Sequence, residues 1–248
     1  MAADTADTVL LPGEQVPGNE LPRSKKGTVA IGPGLYNIPP TTVCATTSGV
    51  LQTDKRRGGL WLEPSRGRYQ PAVGDRVIAQ VQRSGGEQYS CSLTPHTPYA
   101  LLDNLAFEGA SKKTRPKLEV GDVVYARVSK ASRYEDTEIE CVQPSSGKAE
   151  GLGPLRDGMV FSISPGFARR LMMGMNEKTK GGLVVLEEVG EKMRFEVAIG
   201  RNGKVWIDGD STKAIIAIGR LLRKCDEEGW DVETQRQMAK RELKGLVN

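Results

Sequence analysis

The densest run of ligand-capable side chains in this sequence is Lys112-Lys113-Thr114-Arg115-Pro116-Lys117, four cations within six residues. Cations so closely spaced displace counterions from a phosphodiester backbone and give an affinity that falls steeply with salt. The run equally suits an ordinary solvated loop, and spacing alone does not separate the two readings. A second constellation is Gly200-Arg201-Asn202-Gly203 with Trp206 beyond it. Its glycines and Asn202 tolerate the positive φ of a tight turn, and Asn-Gly is a strong hairpin signal. Trp206 offers packing area there, as core or at an interface. Tyr89, Tyr99 and Phe107 are the candidate aromatics for stacking nucleic-acid bases. Stacking a base on an exposed ring contributes about 1–3 kcal/mol. Phe107 and Tyr125 sit at strand positions, where aromatics are usually buried.

Support for catalysis is poor. His96, the single histidine, lies between Pro95 and Pro98 with no nucleophile motif beside it. Metal-dependent nucleases need several carboxylates converging on a cation. Glu135-Asp136, Glu187-Glu188 and Asp226-Glu227-Glu228 are each adjacent in sequence and read as solvated turns or helix ends. No Gly-x-x-x-x-Gly-Lys phosphate loop is present. Cys44, Cys91, Cys141 and Cys225 are too dispersed for a zinc set or a disulfide framework. No catalytic residue, metal or cofactor is expected.

The elements that must hold these residues follow from local pattern. Residues 1–8 are small and polar, and the Val9 to Val16 run is a short strand broken at Pro-Gly. Ile31-Gly-Pro-Gly34 is a turn, Thr41 to Leu51 and Gly59 to Glu63 are strand-rich, and Lys55-Arg56-Arg57 forms a hairpin tip. Val73-Gly-Asp-Arg-Val-Ile-Ala-Gln-Val81 is echoed by Val120-Gly-Asp-Val-Val-Tyr-Ala-Arg-Val128, identical at six of nine positions. Val77, Ala79 and Val81 alternate in one copy, and Val124, Ala126 and Val128 in the other, so each strand turns one apolar face to a common core. With Glu87 to Leu93, Ala100 to Leu102 and Glu138 to Val142, five short strands predict an OB-type barrel carrying the basic run in a loop. Ser145 to Gly153 reads as a linker. Beyond it, strands at Met159 to Ile163, Met193 to Ile199 and Lys204 to Asp208 accompany a short helix over Phe167 to Met173. A helix capped at Asp210, Ser211 or Thr212 carries Lys213, Arg220 and Arg223 on its polar face, and a final helix runs from Asp231 to about Lys244. The fold class expected is multidomain β plus α/β: a small N-terminal β module (1–69), a five-stranded OB-type barrel (70–143) and a mixed α/β domain (144–248).

Charge and composition fit this division. The chain carries a net +4, with 29 glycines and 14 prolines suited to many turns. That mild excess permits nucleic-acid contact without demanding it. A basic-then-apolar leader is missing from the N-terminus, and no apolar run approaches the roughly 20 residues of a membrane helix, so a soluble intracellular protein is expected.

The order of motifs is specific. Gly32-Pro-Gly34, then Tyr69 to Ile78, then Leu105-Ala-Phe-Glu-Gly-Ala110 with the basic run, then Gly200-Arg-Asn-Gly-Lys-Val-Trp206, resembles the S1/KH-domain cap subunits of the eukaryotic RNA exosome. The Phe107-Glu-Gly-Ala110 stretch and the Gly-Arg-Asn-Gly form are most similar to the third cap component. The resemblance implies that the barrel is an S1 domain and the last domain a divergent KH-like one. It implies a non-catalytic subunit seated on a ring of RNase PH-like subunits beside other cap subunits. Such a subunit guides single-stranded RNA toward a 3'-to-5' exonuclease that it serves indirectly. It further implies rRNA processing and RNA degradation, in nucleus and nucleolus and also in cytoplasm, with no membrane and no cofactor. RNA contact then falls to Lys112, Lys113, Arg115 and Lys117. A KH domain clamps backbone with a Gly-x-x-Gly loop between helices. Gly200, Asn202, Gly203 and Trp206 sit between apparent strands, so they are read as a structural or interface turn. A free-standing RNA-binding module, acting for example in translation, is the alternative; a hydrolase rests only on the acidic clusters.

Overall fold

The computed structural model describes residues 8–21, 29–32, 34–40, 42–54, 58–63, 67–132, 134–173 and 183–244. Residues 1–7 and the expected hairpin tip at 55–57 lie outside them. The chain divides into two compact units, 1–67 and 68–248.

The first unit contains β1 (Val9–Leu10), β2 (Ala30–Ile31), β3 (Leu35–Ile38), β4 (Thr42–Ala45), β5 (Gly49–Asp54) and β6 (Gly59–Glu63). One sheet runs β1-β5-β6-β2 and a second pairs β3 with β4. The Pro-Gly break after β1 puts Gly13 at φ +89°, and the chain returns along β4 through Val16 N to Val43 O and Ala45 N to Glu14 O. Leu10, Val16, Leu35, Val43, Leu51, Leu60 and Leu62 fill the core. Gly34 is required where it is: its φ is +81°, and a Cβ there would lie 2.7 Å from that of Leu62.

The second unit begins with the barrel strands β7 (Arg76–Ser84), β8 (Gln88–Ser92), β9 (Ala100–Phe107), β10 (Val123–Lys130), β11 (Glu138–Cys141) and β12 (Gly153–Leu155). The order β11-β9-β8-β7-β10-β12 closes through a β10–β11 pairing. The echoed segments are partners, with Ala79 opposite Val124 and Val77 opposite Ala126 in antiparallel register. Their Gly-Asp turns bond each other's ends reciprocally. Gly74 N donates to Val128 O and Gly121 N to Val81 O, both glycines having positive φ. Val128 N and Val81 N return bonds to Asp75 O and Asp122 O. The alternating Val and Ala side chains point inward with Leu93, Leu102, Ile139 and Cys141. Each such aliphatic burial stabilises the barrel by about 1.5–3 kcal/mol.

Two expectations need revision. β9 is longer than Ala100 to Leu102, because Asn104 takes an interior position and interrupts the apolar alternation that marks a strand. Ser145 to Gly153 is not a free linker: Gln143 N donates to Lys148 O, Ala149 N donates to Glu108 Oε2 at 2.6 Å, and β12 then pairs with β10.

The remainder is β13 (Met159–Ser162), α1 (Pro165–Met172), α2 (Val185–Gly190), β14 (Phe195–Gly200), β15 (Lys204–Gly209), α3 (Thr212–Glu228) and α4 (Val232–Leu243). The sheet order is β13-β15-β14, fully antiparallel. The helices begin at side-chain caps: Ser164 for α1, Ser211 for α3 and Asp231 for α4 each accept a backbone N–H three residues on. Only α2 lacks such a cap, and its brevity hid it from sequence reading. Val205 and Ile207 pack with Phe167, Ile218, Leu222 and Leu243 between sheet and helices. Gly219 lets α3 approach the Phe161 ring, which a Cβ would overlap.

Candidate nucleic-acid interface

The basic run lies on the connection between β9 and β10, and its anchoring starts inside the barrel. Leu118 is buried among the core side chains. Tyr89 reaches from β8 to this connection, where its hydroxyl donates to Pro116 O and accepts from Leu118 N, both at 3.2 Å. Tyr89 is therefore a core strut, 4% exposed, and no platform for a base. Phe107 is buried in the same core. Upstream, Arg115 N donates to Ser111 O at 3.0 Å, and Thr114 Oγ1 donates to Gly109 O at 3.1 Å. The result is a short, internally bonded loop on a fixed stem.

On that loop Lys112, Lys113 and Lys117 are exposed. Arg115 is half-buried and donates to Gly86 O at 3.3 Å, in the turn between β7 and β8. Among the described residues none of the four forms an ion pair. Gly86 O also accepts from Asn104 Nδ2 at 2.8 Å. Asn104 is buried, and its Oδ1 has no partner among the described residues. Sequence reading missed this residue, since an Asn in a strand gives no sign of facing inward.

Tyr99 is the exposed aromatic of the three weighed. It stands just before β9, and the Arg83 guanidinium lies 5.8 Å from its ring centroid.

The second constellation lies elsewhere and does different work. Gly200 to Gly203 form the β14–β15 turn, and the turn docks against the barrel. β8 ends at Ser92 opposite Gln80, so Ile78 has no β8 partner. The Asn202 side chain replaces it: Oδ1 accepts from Ile78 N at 3.2 Å, and Nδ2 donates to Ile78 O at 2.8 Å and to Leu93 O at 2.7 Å. Around it, Arg201 N donates to Arg76 O at 2.8 Å and Tyr125 Oη to Ile199 O at 3.0 Å. Arg201 also faces Asp75 at 3.7 Å. Gly200 must lack a side chain because a Cβ would lie 2.8 Å from Ile78 N and against Asn202 Oδ1. Gly203 has φ +72°, with Ile163 O 2.5 Å from the position of a Cβ.

Trp206 closes the joint in an apolar cluster with Ile78 and Ala198, flanked by Val123, Tyr125 and Leu155. Lys204 donates to Ser92 O at 3.5 Å, and burial pushes its amine below the ordinary lysine value. The two constellations are thus separate: four cations on a barrel loop, and a turn joining barrel to α/β layer. The sequence between α1 and α2 contains no Gly-x-x-Gly.

Among the described residues, no three His, Cys, Asp or Glu side chains group as metal ligands. The acidic clusters have structural partners: Asp226 accepts from Ser164 Oγ and N at 2.6 and 2.7 Å, Glu135 pairs with Lys130 at 2.9 Å, and Glu188 with Arg236 at 3.1 Å. The four cysteines are free and buried. No described helix is long and apolar enough to cross a membrane.

Comparison with known proteins agrees with this architecture. Residues 69–153 match the model of the exosome complex component RRP40 S1 domain, 29–68 that of the exosome complex exonuclease Rrp40 N-terminal domain, and 158–213 a KH domain. The exosome complex component RRP40 of Saccharomyces cerevisiae is 34% identical over 93% of this chain and 95% of its own length. That of Drosophila melanogaster is 35% identical over 90% of each. A solved structure described as an exosome complex RNA-binding protein shares the fold, with a TM-score of 0.56 at 21% identity over 72% of this chain and 97% of its own. With an S1 barrel, a KH-like layer joined to it through Asn202, and this similarity along nearly its whole length, the chain belongs to the RRP40 family of exosome complex components.

Proposed function

We propose that the chain is a non-catalytic RNA-binding cap subunit of the exosome, in which the S1 barrel receives single-stranded RNA through Lys112, Lys113, Arg115 and Lys117. The observation that carries this reading is the tethered β9–β10 loop: Tyr89 and Leu118 fix its stem, Lys112, Lys113 and Lys117 are exposed on it beside a half-buried Arg115, and none of the four has an acidic partner among the described residues. A loop already held in place loses little backbone freedom on meeting phosphates, so each contact retains more of its electrostatic gain.

The N-terminal module and the KH-like layer serve assembly. Asn202 is fully engaged by the barrel, so the Gly-Arg-Asn-Gly turn holds the S1 and KH-like parts in one orientation and leaves RNA contact to the barrel. Partners are the RNase PH-like ring subunits and the other cap subunits, with the 3'-to-5' exonuclease reached through the complex. The work is rRNA processing and RNA degradation, in nucleus, nucleolus and cytoplasm.

Affinity capture of the tagged full chain from cell extract, followed by mass spectrometry, tests this assignment. Recovery of RNase PH-like ring subunits is expected. Recovery of ribosomal subunits or translation factors in their place would favour a free-standing module and overturn the assignment.

A further inference from the structure

The outer surface of β7, β8 and β9 carries a second arrangement that the basic loop does not use. Ala100 and Leu102 point into the core, so Tyr99 and Leu101 point outward. On β8, Tyr89 and Cys91 point inward and Ser90 and Ser92 outward. A register shift in β7 between Val81 and Arg83 brings Arg83 opposite Ser90, on the same outward face. The two serines leave little bulk between β7 and β9, and Arg83 extends across them to Tyr99.

The ring is 44% exposed. Among the described residues Arg83 has no ion pair, so its guanidinium keeps its charge available. A flat ring held by a planar cation, on the strand face by which OB-type barrels take oligonucleotides, suits a stacked nucleobase with its phosphate near the cation.

We infer that Tyr99 and Arg83 form a base-stacking platform for single-stranded RNA, distinct from the phosphate-binding loop at Lys112, Lys113 and Lys117. The inference deepens the RNA-guiding reading and rests on it. Stacking is tolerant of base identity because every base has a π face, so the platform takes unpaired RNA without selecting a sequence. It discriminates against duplex, whose bases are already stacked on one another.

Fluorescence anisotropy of the full chain at low salt, with a labelled single-stranded RNA and an abasic ribose-phosphate oligomer of equal length, separates the two contacts. Tyr99→Ala is expected to weaken the base-bearing RNA about 5- to 100-fold and to leave the abasic oligomer unchanged. Tyr99→Phe, which keeps the ring, is expected to bind as the unsubstituted chain does. Should Tyr99→Ala lower the melting midpoint, Tyr99→Leu keeps apolar bulk without a ring and gives the same comparison. The triple variant Lys112→Ala/Lys113→Ala/Lys117→Ala is expected to weaken both oligomers alike. Unchanged RNA binding by Tyr99→Ala, beside a loss in the triple variant, overturns the platform and leaves the loop standing. The reverse pattern overturns the loop and leaves the platform, and an unsubstituted chain that binds neither oligomer overturns both.

Discussion

Asn202 shows how a single side chain sets an interdomain geometry. A primary amide has the donors and acceptor of a peptide group, and here it stands where a strand residue would, satisfying both backbone groups of Ile78 and the carbonyl of Leu93. Asn202→Ala removes these bonds and is expected to destabilise the 68–248 unit by about 1–3 kcal/mol, read as a lower urea midpoint and faster hydrogen exchange at the Ile78 amide. Asn202→Asp is expected to cost more, since a carboxylate would face two carbonyl oxygens. Lys204 at the same joint gives a pH signature. Its folded pKa is lowered by burial, so between that value and the unfolded value near 10.5 the unfolded state holds more protons. Its contribution to stability therefore increases as pH rises through that window. Lys204→Met, measured beside the unsubstituted chain by thermal unfolding at several pH values, is expected to be at least as stable at pH 7 and to show less of this rise.

Hairpins and loops, rather than whole layers, carry the division of labour. The β14–β15 turn approaches β7 so closely that only glycine fits at position 200, while Gly203, at φ +72°, is held to glycine by Ile163 O on the α/β side. Gly200→Ala is expected to lift the hairpin from the barrel. Limited proteolysis would then cut between barrel and α/β layer faster than in the unsubstituted chain; equal rates would show that the turn does not govern the joint. The barrel strands were legible because the repeated Gly-Asp openings and alternating Val and Ala report local pattern, and local pattern is what a β-strand obeys. The role of Asn202 was not, since Ile78 lies 124 residues away and no periodicity encodes a contact across that distance. Tyr89 was misjudged as a stacking candidate for the same reason: its partners Pro116 and Leu118 become neighbours only when the barrel closes. Asn104 was invisible because polar residues inside a strand break the very signal used to find it.

For the whole molecule, family membership and charge distribution agree on a scaffold. The net charge of +4 is modest, and its densest cationic run is the tethered β9–β10 loop. Affinity of the isolated chain for RNA should accordingly be low and strongly dependent on salt, rising when other subunits supply further contacts along the same strand. The most direct test of the central claim is the slope of log affinity against log salt for single-stranded RNA, measured on the full chain and on the triple variant Lys112→Ala/Lys113→Ala/Lys117→Ala. Each phosphate neutralised on a single strand contributes about 0.7 to that slope, so the variant should lose about 2 from its magnitude while remaining folded. An unchanged slope would contradict the account, because it would mean that the β9–β10 loop meets no phosphate.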